Sequence, residues 1–260
     1  DAGLRRYQGP MAVGAYQAVC ALLTGFRSAR MRENITLVNS EWTGRLVRAR
    51  HGIEPVTLSP PAAGDFAHVP WSERRLAFVC VGRIAPEKRI EAVIDIIARV
   101  RRDHPDLTLH IAGNADDRAY LARVQAAVRA QGDWVSLDLD LPRERLLQLM
   151  TSCRFGIHGM HDEHFGMAVA ELVCAGTIPF APNSGGPVEI LGGDRRLLYE
   201  SDKDATNRIG QVLADETLIE DLRASLAAQA GRFSSETFVR DFRRIVARLA
   251  SEREGDRGDD

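Results

Sequence analysis

The stretch "DEHFGMAVAELVCAGTIPFAPNSGGPVEI", residues 162–190, decides the fold. It contains a glycine turn at Gly166, an apolar helical run closed by Gly176 and a short apolar strand at 177–181. A second glycine pair, Gly185-Gly186, stands just before Pro187. A helix entered through a glycine turn leaves the N–H groups of its first turn without intrahelical partners. Proline after the second pair suits the first position of another helix. Glu163 precedes the first helix and Glu171 lies in its second turn, eight positions on. Because "GMAVAELVCAG" is otherwise apolar, a lone glutamate there points to a site rather than to solvent.

The same alternation extends outward. Apolar strands are expected at 76–82, 107–113, 134–140 and 154–159, separated by helices at 88–102, 116–131 and 142–152. Ile90, Val93, Ile97 and Val100 form one stripe of the first helix. Strands apolar on both faces, alternating with helices of this length, indicate an α/β fold: a doubly wound, Rossmann-like parallel sheet. Helices at 202–213, 215–230 and 234–251 follow, and the charged end 252–260 is expected to fray. Upstream, "NITLVNS" (34–40) suggests a short strand ending in a cap. "EWTGRLVRARHG" (41–52) suggests a helix stopped by glycine, and "PVTLSPP" (55–61) a second strand. The aperiodic segment 62–75 separates this part from the regular alternation, with the linker proper at 67–75.

Composition sets limits on function. With 45% apolar and 27% charged residues the chain is an ordinary globular protein, and a net charge of −2 gives no reason to expect nucleic acid as a partner. Residues 1–50 nevertheless carry eight arginines against three acids, a net of +5 that leaves −7 for the remainder. That basic opening is either a solvated helix face or a surface for an anionic acceptor or membrane. Cys20, Cys80, Cys153 and Cys174 sit in apolar runs without a CxxC, as reduced core thiols of a cytoplasmic protein do. "MAVGAYQAVCALLTGF" (11–26) is 16 residues long and carries Gln17 and Thr24. It is short for a span and suggests a packed or interfacial helix. The chain starts at Asp1 with no strand–helix unit ahead of its first helix, so it is expected to be the back part of a longer protein.

In doubly wound sheets ligands bind outside the carboxyl ends of the strands. The first strand of the regular part ends in "VGRIAPEKR", where Gly82 permits a turn and Arg83 and Lys88 flank the next helix start. Two cations beside a helix N-terminus suit a diphosphate. The loop matches neither the dinucleotide-binding GxGxxG nor the P-loop pattern. Glu163 falls in a loop at the same edge, the backbone at Phe165, Gly166 and Met167 can hold an anion or a sugar oxygen, and Glu171 can accept two adjacent hydroxyls such as a ribose offers.

Together the Glu-x7-Glu pair, the "GR…EK" loop and the "NSGGP" loop resemble the retaining GT-B glycosyltransferases of family 4 over residues 34–250. Within that family "VNSEWTG", "VSLDLDLPRERLLQLM", "EHFGMAVAE" and "AGTIPFAPNSGGP" are similar to GDP-mannose-dependent mannosyltransferases that extend lipid-linked oligosaccharides on the cytoplasmic side of a membrane. The resemblance implies that Arg83 and Lys88 bind the donor diphosphate and stabilise the leaving group, and that Glu163 holds hydroxyls of the transferred sugar. It implies that Phe165, Gly166 and Met167 touch sugar and phosphate through their amides, and that Glu171 binds ribose. Gly113, Leu139 and Asp140 would lie beside the base, His158 beside the sugar, and Gly82, Gly185 and Gly186 would complete the donor site. No metal and no cofactor are implied beyond a nucleotide-sugar donor, GDP-mannose favoured over a UDP-sugar. The implied partner is a lipid-linked or polysaccharide acceptor, and the implied location cytoplasmic, at the membrane face. Residues 1–66 resemble only the last part of the family's N-terminal acceptor domain, 76–233 its donor domain and 234–251 its closing helix. The expectation is a donor-binding half with little or no transferase activity alone.

Other readings compete. His158, His161 and His164 recur every third residue and could ligate a metal. A carboxylate pair also serves glycosidases, but the Arg83–Lys88 loop argues for a phosphate-bearing donor. A nucleotide-sugar epimerase of the same architecture and a non-catalytic sugar-nucleotide-binding module are the remaining alternatives.

Overall fold

A computed structural model describes residues 10–25 and 34–255. The arginines at 5, 6, 27, 30 and 32, which make up most of the basic opening, lie outside the described residues. Helix α1 (Pro10–Thr24) comes first. A small parallel pair then forms from β1 (Leu37–Val38) and β2 (Val56–Thr57), with α2 (Glu41–His51) between them. The strands are shorter than the alternation suggests because only two residues of each find a ladder partner. The α2 boundaries follow the expected chemistry. Ser40 caps its N-terminus by accepting from the Thr43 N–H, and Gly52 ends it with a left-handed φ of 63°.

The main sheet has six parallel strands: β3 (Arg75–Val81), β4 (Thr108–Gly113), β5 (Val135–Leu139), β6 (Cys153–Ile157), β7 (Ile178–Pro182) and β8 (Leu198–Tyr199). Their order is β5-β4-β3-β6-β7-β8. The connecting helices are α3 (Ile90–Val100), α4 (Arg118–Gln131), α5 (Arg143–Ser152), α6 (Met167–Cys174) and the single turn α7 (Pro187–Ile190). Helices α8 (Asp202–Leu213), α9 (Glu216–Ala230) and α10 (Ser235–Gly255) complete the chain.

Both faces of β3 are buried, as a covered parallel strand requires. Ala77, Val79 and Val81 cluster with Met150 of α5 and Leu172 of α6. Phe78 and Cys80 point the other way and join Ile94 and Ile97 of α3 in the larger core. Phe78 stacks on Phe155 of β6 at 5.3 Å, adding to the area term that side chains of this size supply.

Several expectations are corrected. The helix expected from 88 starts at Ile90, because Pro86–Lys88 forms a 3-10 turn and Arg89 breaks it with a φ of 51°. The strand at Leu198–Tyr199 was not expected at all, since two residues carry no readable period. The final helix continues to Gly255, past the expected fraying point at 252. Within the expected linker 67–75, Trp71 packs edge-on against Phe155 at 5.9 Å. On helix α1, expected as packed or interfacial, Tyr16, Val19, Leu22 and Leu23 are exposed, and Cys20 is only half-buried rather than a core thiol. All four cysteines are unpaired.

Candidate functional site

The order of the main sheet reverses between β3 and β6, and the crevice outside the carboxyl ends of those two strands is where such sheets bind ligands. The loops leaving the two strands line a cleft of about 450 Å³ there, together with the start of α6. Lys88 and Glu163 meet inside it in an ion pair, their side chains only 17% and 16% exposed. Burial alone would raise the Glu163 carboxyl. The nearby His158 imidazole and the Lys88 ammonium, with the Lys88 charge, instead hold it at about 2. Lys88 supplies the short contact. His158 Nε2 lies 3.5 Å from Glu163 Oε2, at the far limit of a hydrogen bond, and so is a buried nitrogen without a bonded partner.

His158 is fixed by its backbone. Its N–H donates to Phe180 O at 2.8 Å and its carbonyl accepts the Tyr199 hydroxyl at 2.5 Å. Burial, partly opposed by Glu163, pushes its imidazole below the usual range, so the ring is neutral at pH 7. Gly166 enters α6 with a φ of 103° and no side chain caps that helix. Phe165, Gly166 and Met167 thus bring the free amides of a helix N-terminus to the cleft wall. Glu171, one turn deeper, is 9% exposed. Its partner is Arg143 at the start of α5, 2.6 Å away, which the sequence did not single out. Arg83 sits at the cleft, half-exposed and paired to Glu87 at 3.0 Å.

Other expected residues are not brought in. Gly113, Leu139 and Asp140 are absent from the cleft wall. Gly113 instead lets β4 approach the turn at Gly82, where a Cβ on it would stand 1.8 Å from Gly82 O. Asp140 takes a φ of 53° and donates its N–H to Gly113 O at 3.1 Å. Gly185 and Gly186 are buried and do not line the cleft either. A Cβ on Gly185 would come within 2.3 Å of Glu163 O, and one on Gly186 within 2.4 Å of Phe165 O. Gly186 N–H already donates to Glu163 O at 2.8 Å. The glycine pair therefore backs the loop that carries Glu163.

The three histidines have different partners, although His158 and His164 both line the cleft. His158 lies buried at the cleft, His161 contacts Arg89 at 2.9 Å, and His164 meets the Trp42 ring edge-on at 5.5 Å.

The loop of Glu163 is also held from the other side, by residues the sequence did not mark for this purpose. The Glu189 carboxylate accepts the N–H groups of Glu41 and Trp42, at 2.8 and 2.7 Å, at the N-terminus of α2. The Ser40 hydroxyl donates to His164 O at 2.5 Å while still capping α2. Asn39, beside it, lines the cleft. A cap signal at Ser40 was legible; its contact 124 positions away was not.

With this geometry in view, comparison with known proteins gives consistent matches. The family described as glycosyl transferases group 1 matches residues 65–232. A curated human protein, GDP-Man:Man(3)GlcNAc(2)-PP-Dol alpha-1,2-mannosyltransferase, is 29% identical over 241 residues, covering 83% of this chain and 49% of its own length. The chain thus spans about half the length of the curated relatives it matches. Among solved structures, sucrose-phosphate synthase from Thermosynechococcus elongatus superposes with a TM-score of 0.72 at 19% identity, over 86% of this chain and 60% of that one. Anabaena HepE in complex with UDP and glucose does so at 0.70 and 17%, over 88% and 68%.

Proposed function

We propose that this chain, which belongs to the glycosyl transferases group 1 family, is the donor-binding half of a hexosyltransferase. It would move mannose from GDP-mannose to a lipid-linked acceptor with retention of anomeric configuration. The observation that carries this reading is the Lys88–Glu163 pair beside the uncapped N-terminus of α6. A nucleotide diphosphate laid across that point meets a cation and a helix N-terminus at its phosphates. Its sugar meets an ionised carboxylate and a buried, unpartnered imidazole nitrogen.

Each residue's part follows from its place. Lys88 exchanges its bond to Glu163 for a diphosphate oxygen and opposes the charge that builds as the glycosidic bond breaks. Arg83, more exposed, adds to that field from the rim. Glu163, freed from Lys88, accepts hydroxyls of the sugar, with His158 next to it. Glu171, oriented by Arg143, takes the ribose hydroxyls. No group here need attack the sugar. The rate would come from positioning and from charge already in place around an oxocarbenium-like transition state.

Mannose and guanine are favoured because the curated relatives are named for GDP-Man. A UDP-sugar is the second reading, because a solved neighbour holds UDP and glucose. The PP-Dol acceptor in the relatives' names supports work at a membrane surface. Among the described residues no helix is long and apolar enough to cross a membrane. The donor is taken to need neither metal nor cofactor.

Calorimetric titration with GDP, UDP, GDP-mannose and UDP-glucose, with and without EDTA, tests the reading. It should show tighter binding of the guanine ligands, unchanged by the chelator. Tighter UDP binding would overturn the mannose assignment, and loss of binding with EDTA would overturn the metal-free one. Glu171→Ala should weaken GDP and GDP-mannose alike, whereas Glu163→Gln should weaken GDP-mannose selectively. Equal losses in both variants would remove the division of labour between the two carboxylates.

A further inference from the structure

Among the described residues, only three buried side-chain nitrogen or oxygen atoms lack a hydrogen-bond partner. One is His158 Nε2, in the donor cleft. The other two, Arg74 Nη1 and Arg154 Nε, lie together at the opposite end of the sheet. Arg74 immediately precedes β3 and Arg154 is the second residue of β6, so both belong to the amino ends of the strands whose carboxyl ends form the cleft. A third guanidinium, Arg223 of α9, joins them. All three gather on the Trp71 ring, with Arg223, Arg154 and Arg74 at 4.7, 5.5 and 6.0 Å from its centroid.

We propose that this cluster is a second ligand site, taking a phosphate-class oxyanion between Arg74 and Arg223 beside Trp71. Arg74 is 8% exposed. Its Nε donates to Val69 O at 3.0 Å and its Nη2 to Ala175 O at 2.9 Å, so the guanidinium is locked in place with one nitrogen left over. None of the three arginines is within ion-pair distance of a carboxylate among the described residues. Like charges are thus packed together around one buried cation with no acid to balance them. An uncompensated buried charge is costly; burial and the nearby Arg223 charge both lower the affinity of the Arg74 guanidinium for its proton. A multiply charged anion relieves that repulsion better than a single carboxylate does. Guanidinium groups bind it through paired N–H donors.

The space agrees with a group of that size. A cavity of about 200 Å³ opens beside the cluster, lined by His68, Trp71, Arg74, Thr177 and Arg223. That is below the roughly 300–1,000 Å³ of pockets that enclose whole small-molecule ligands, and suits one charged head group. Arg223 is exposed at its mouth, so an anion can arrive from solvent or from the head groups of a lipid surface.

The test is thermal denaturation and calorimetry with inorganic phosphate at constant ionic strength set by chloride. It is run in a Lys88→Met plus Glu163→Gln background, which removes the donor cleft's buried cation without stranding its carboxylate. Saturable binding that raises the melting temperature is expected, with Arg223→Glu weakening it roughly tenfold or more, as the loss of a charge-assisted hydrogen bond does. Arg223 is exposed, so that variant should fold, and it should leave GDP binding unchanged in the otherwise native chain. No saturable response to phosphate, or an undiminished response in Arg223→Glu, would overturn the site. Co-sedimentation with phosphatidylcholine vesicles containing phosphatidic acid separates the two sources of the anion. Retention that Arg223→Glu abolishes identifies a lipid head group, and phosphate binding without retention identifies a soluble one.

Discussion

The two ends of β3 and β6 treat positive charge in opposite ways. At the carboxyl ends Arg83, Lys88 and Arg89 each face an acid: Glu87, Glu163 and Asp202. At the amino ends Arg74, Arg154 and Arg223 face an indole ring and one another. The cleft therefore balances its own charges, and on the proposed reading a ligand competes with these internal partners. A phosphate competes with Glu163 for the Lys88 ammonium, and a Glu163 less tightly held can accept a sugar hydroxyl. The amino-end cluster has no such internal partner to displace. One end is built for discrimination among ligands that supply both an anion and hydroxyls; the other responds to negative charge alone.

The largest expected effect follows from breaking the balanced end. Lys88→Met strands a carboxylate that is mostly buried, and losing one partner of a buried pair costs about 3–5 kcal/mol. Nucleotide-sugar binding should fall with it. Adding Glu163→Gln should recover much of the stability but not the binding, because the stranded charge is gone while the cation is still missing. Urea denaturation of the two variants checks this. At the unbalanced end Arg74→Met leaves no stranded acid. Its cost is limited to two hydrogen bonds to backbone carbonyls, about 2 kcal/mol. If Arg74→Met proves as damaging as Lys88→Met, the contrast between the two ends fails.

The next effect concerns what holds the balanced end in place. Glu189 satisfies two amides at the start of α2, and Ser40 both caps that helix and donates to His164 O. Loss of a cap costs about 1 kcal/mol, and the same changes should loosen the loop of Glu163. In Glu189→Ala, hydrogen exchange at Asp162 and Gly186 should quicken while the amides of β3 stay protected. Uniform quickening would mean that Glu189 serves only general stability.

Much of the balanced end was legible in the sequence, and the reason is local. Glycine turns, apolar runs and the spacing of Glu163 from Glu171 report on neighbouring residues, so they placed α6, β7 and the cleft's wall. Lys88 and Glu163 could be assigned to one edge because parallel strands all end on the same side. What escaped depends on contacts far apart in the chain. Arg143 reaches Glu171 across 28 positions, Glu189 reaches α2 across 147 and 148, and Tyr199 reaches His158 across 41. The packing role of the glycine pair was hidden for a related reason. A glycine needed for φ or for close approach looks the same in sequence, and here the close neighbour is the protein's own loop. The Arg74 cluster gave no signal, since its members come from a turn, a strand and a late helix.

The smallest effect expected is on pH dependence, and it again divides the cleft's groups. His158 is held below its usual 6.5 by burial, so the folded ring stays neutral where the unfolded one gains a proton. Its contribution is complete above the unfolded value and is lost as the pH falls below it. His110, buried and beside Arg75, is shifted the same way and acts in the same window. Glu163 at about 2 behaves otherwise. Its contribution is complete above the ordinary carboxylate value near 4.5 and is lost only as the pH falls from there toward 2. Melting temperatures of His158→Gln should therefore fall less between pH 7 and 5 than those of the native chain, with His110→Gln flattening the remainder. Glu163→Gln should leave that window unchanged and flatten the one below pH 4.5. If Glu163→Gln alters the upper window instead, the imidazole and not Lys88 is the dominant partner of that carboxylate, and the exchange of Lys88 onto a phosphate is the wrong account of how the cleft opens to its donor.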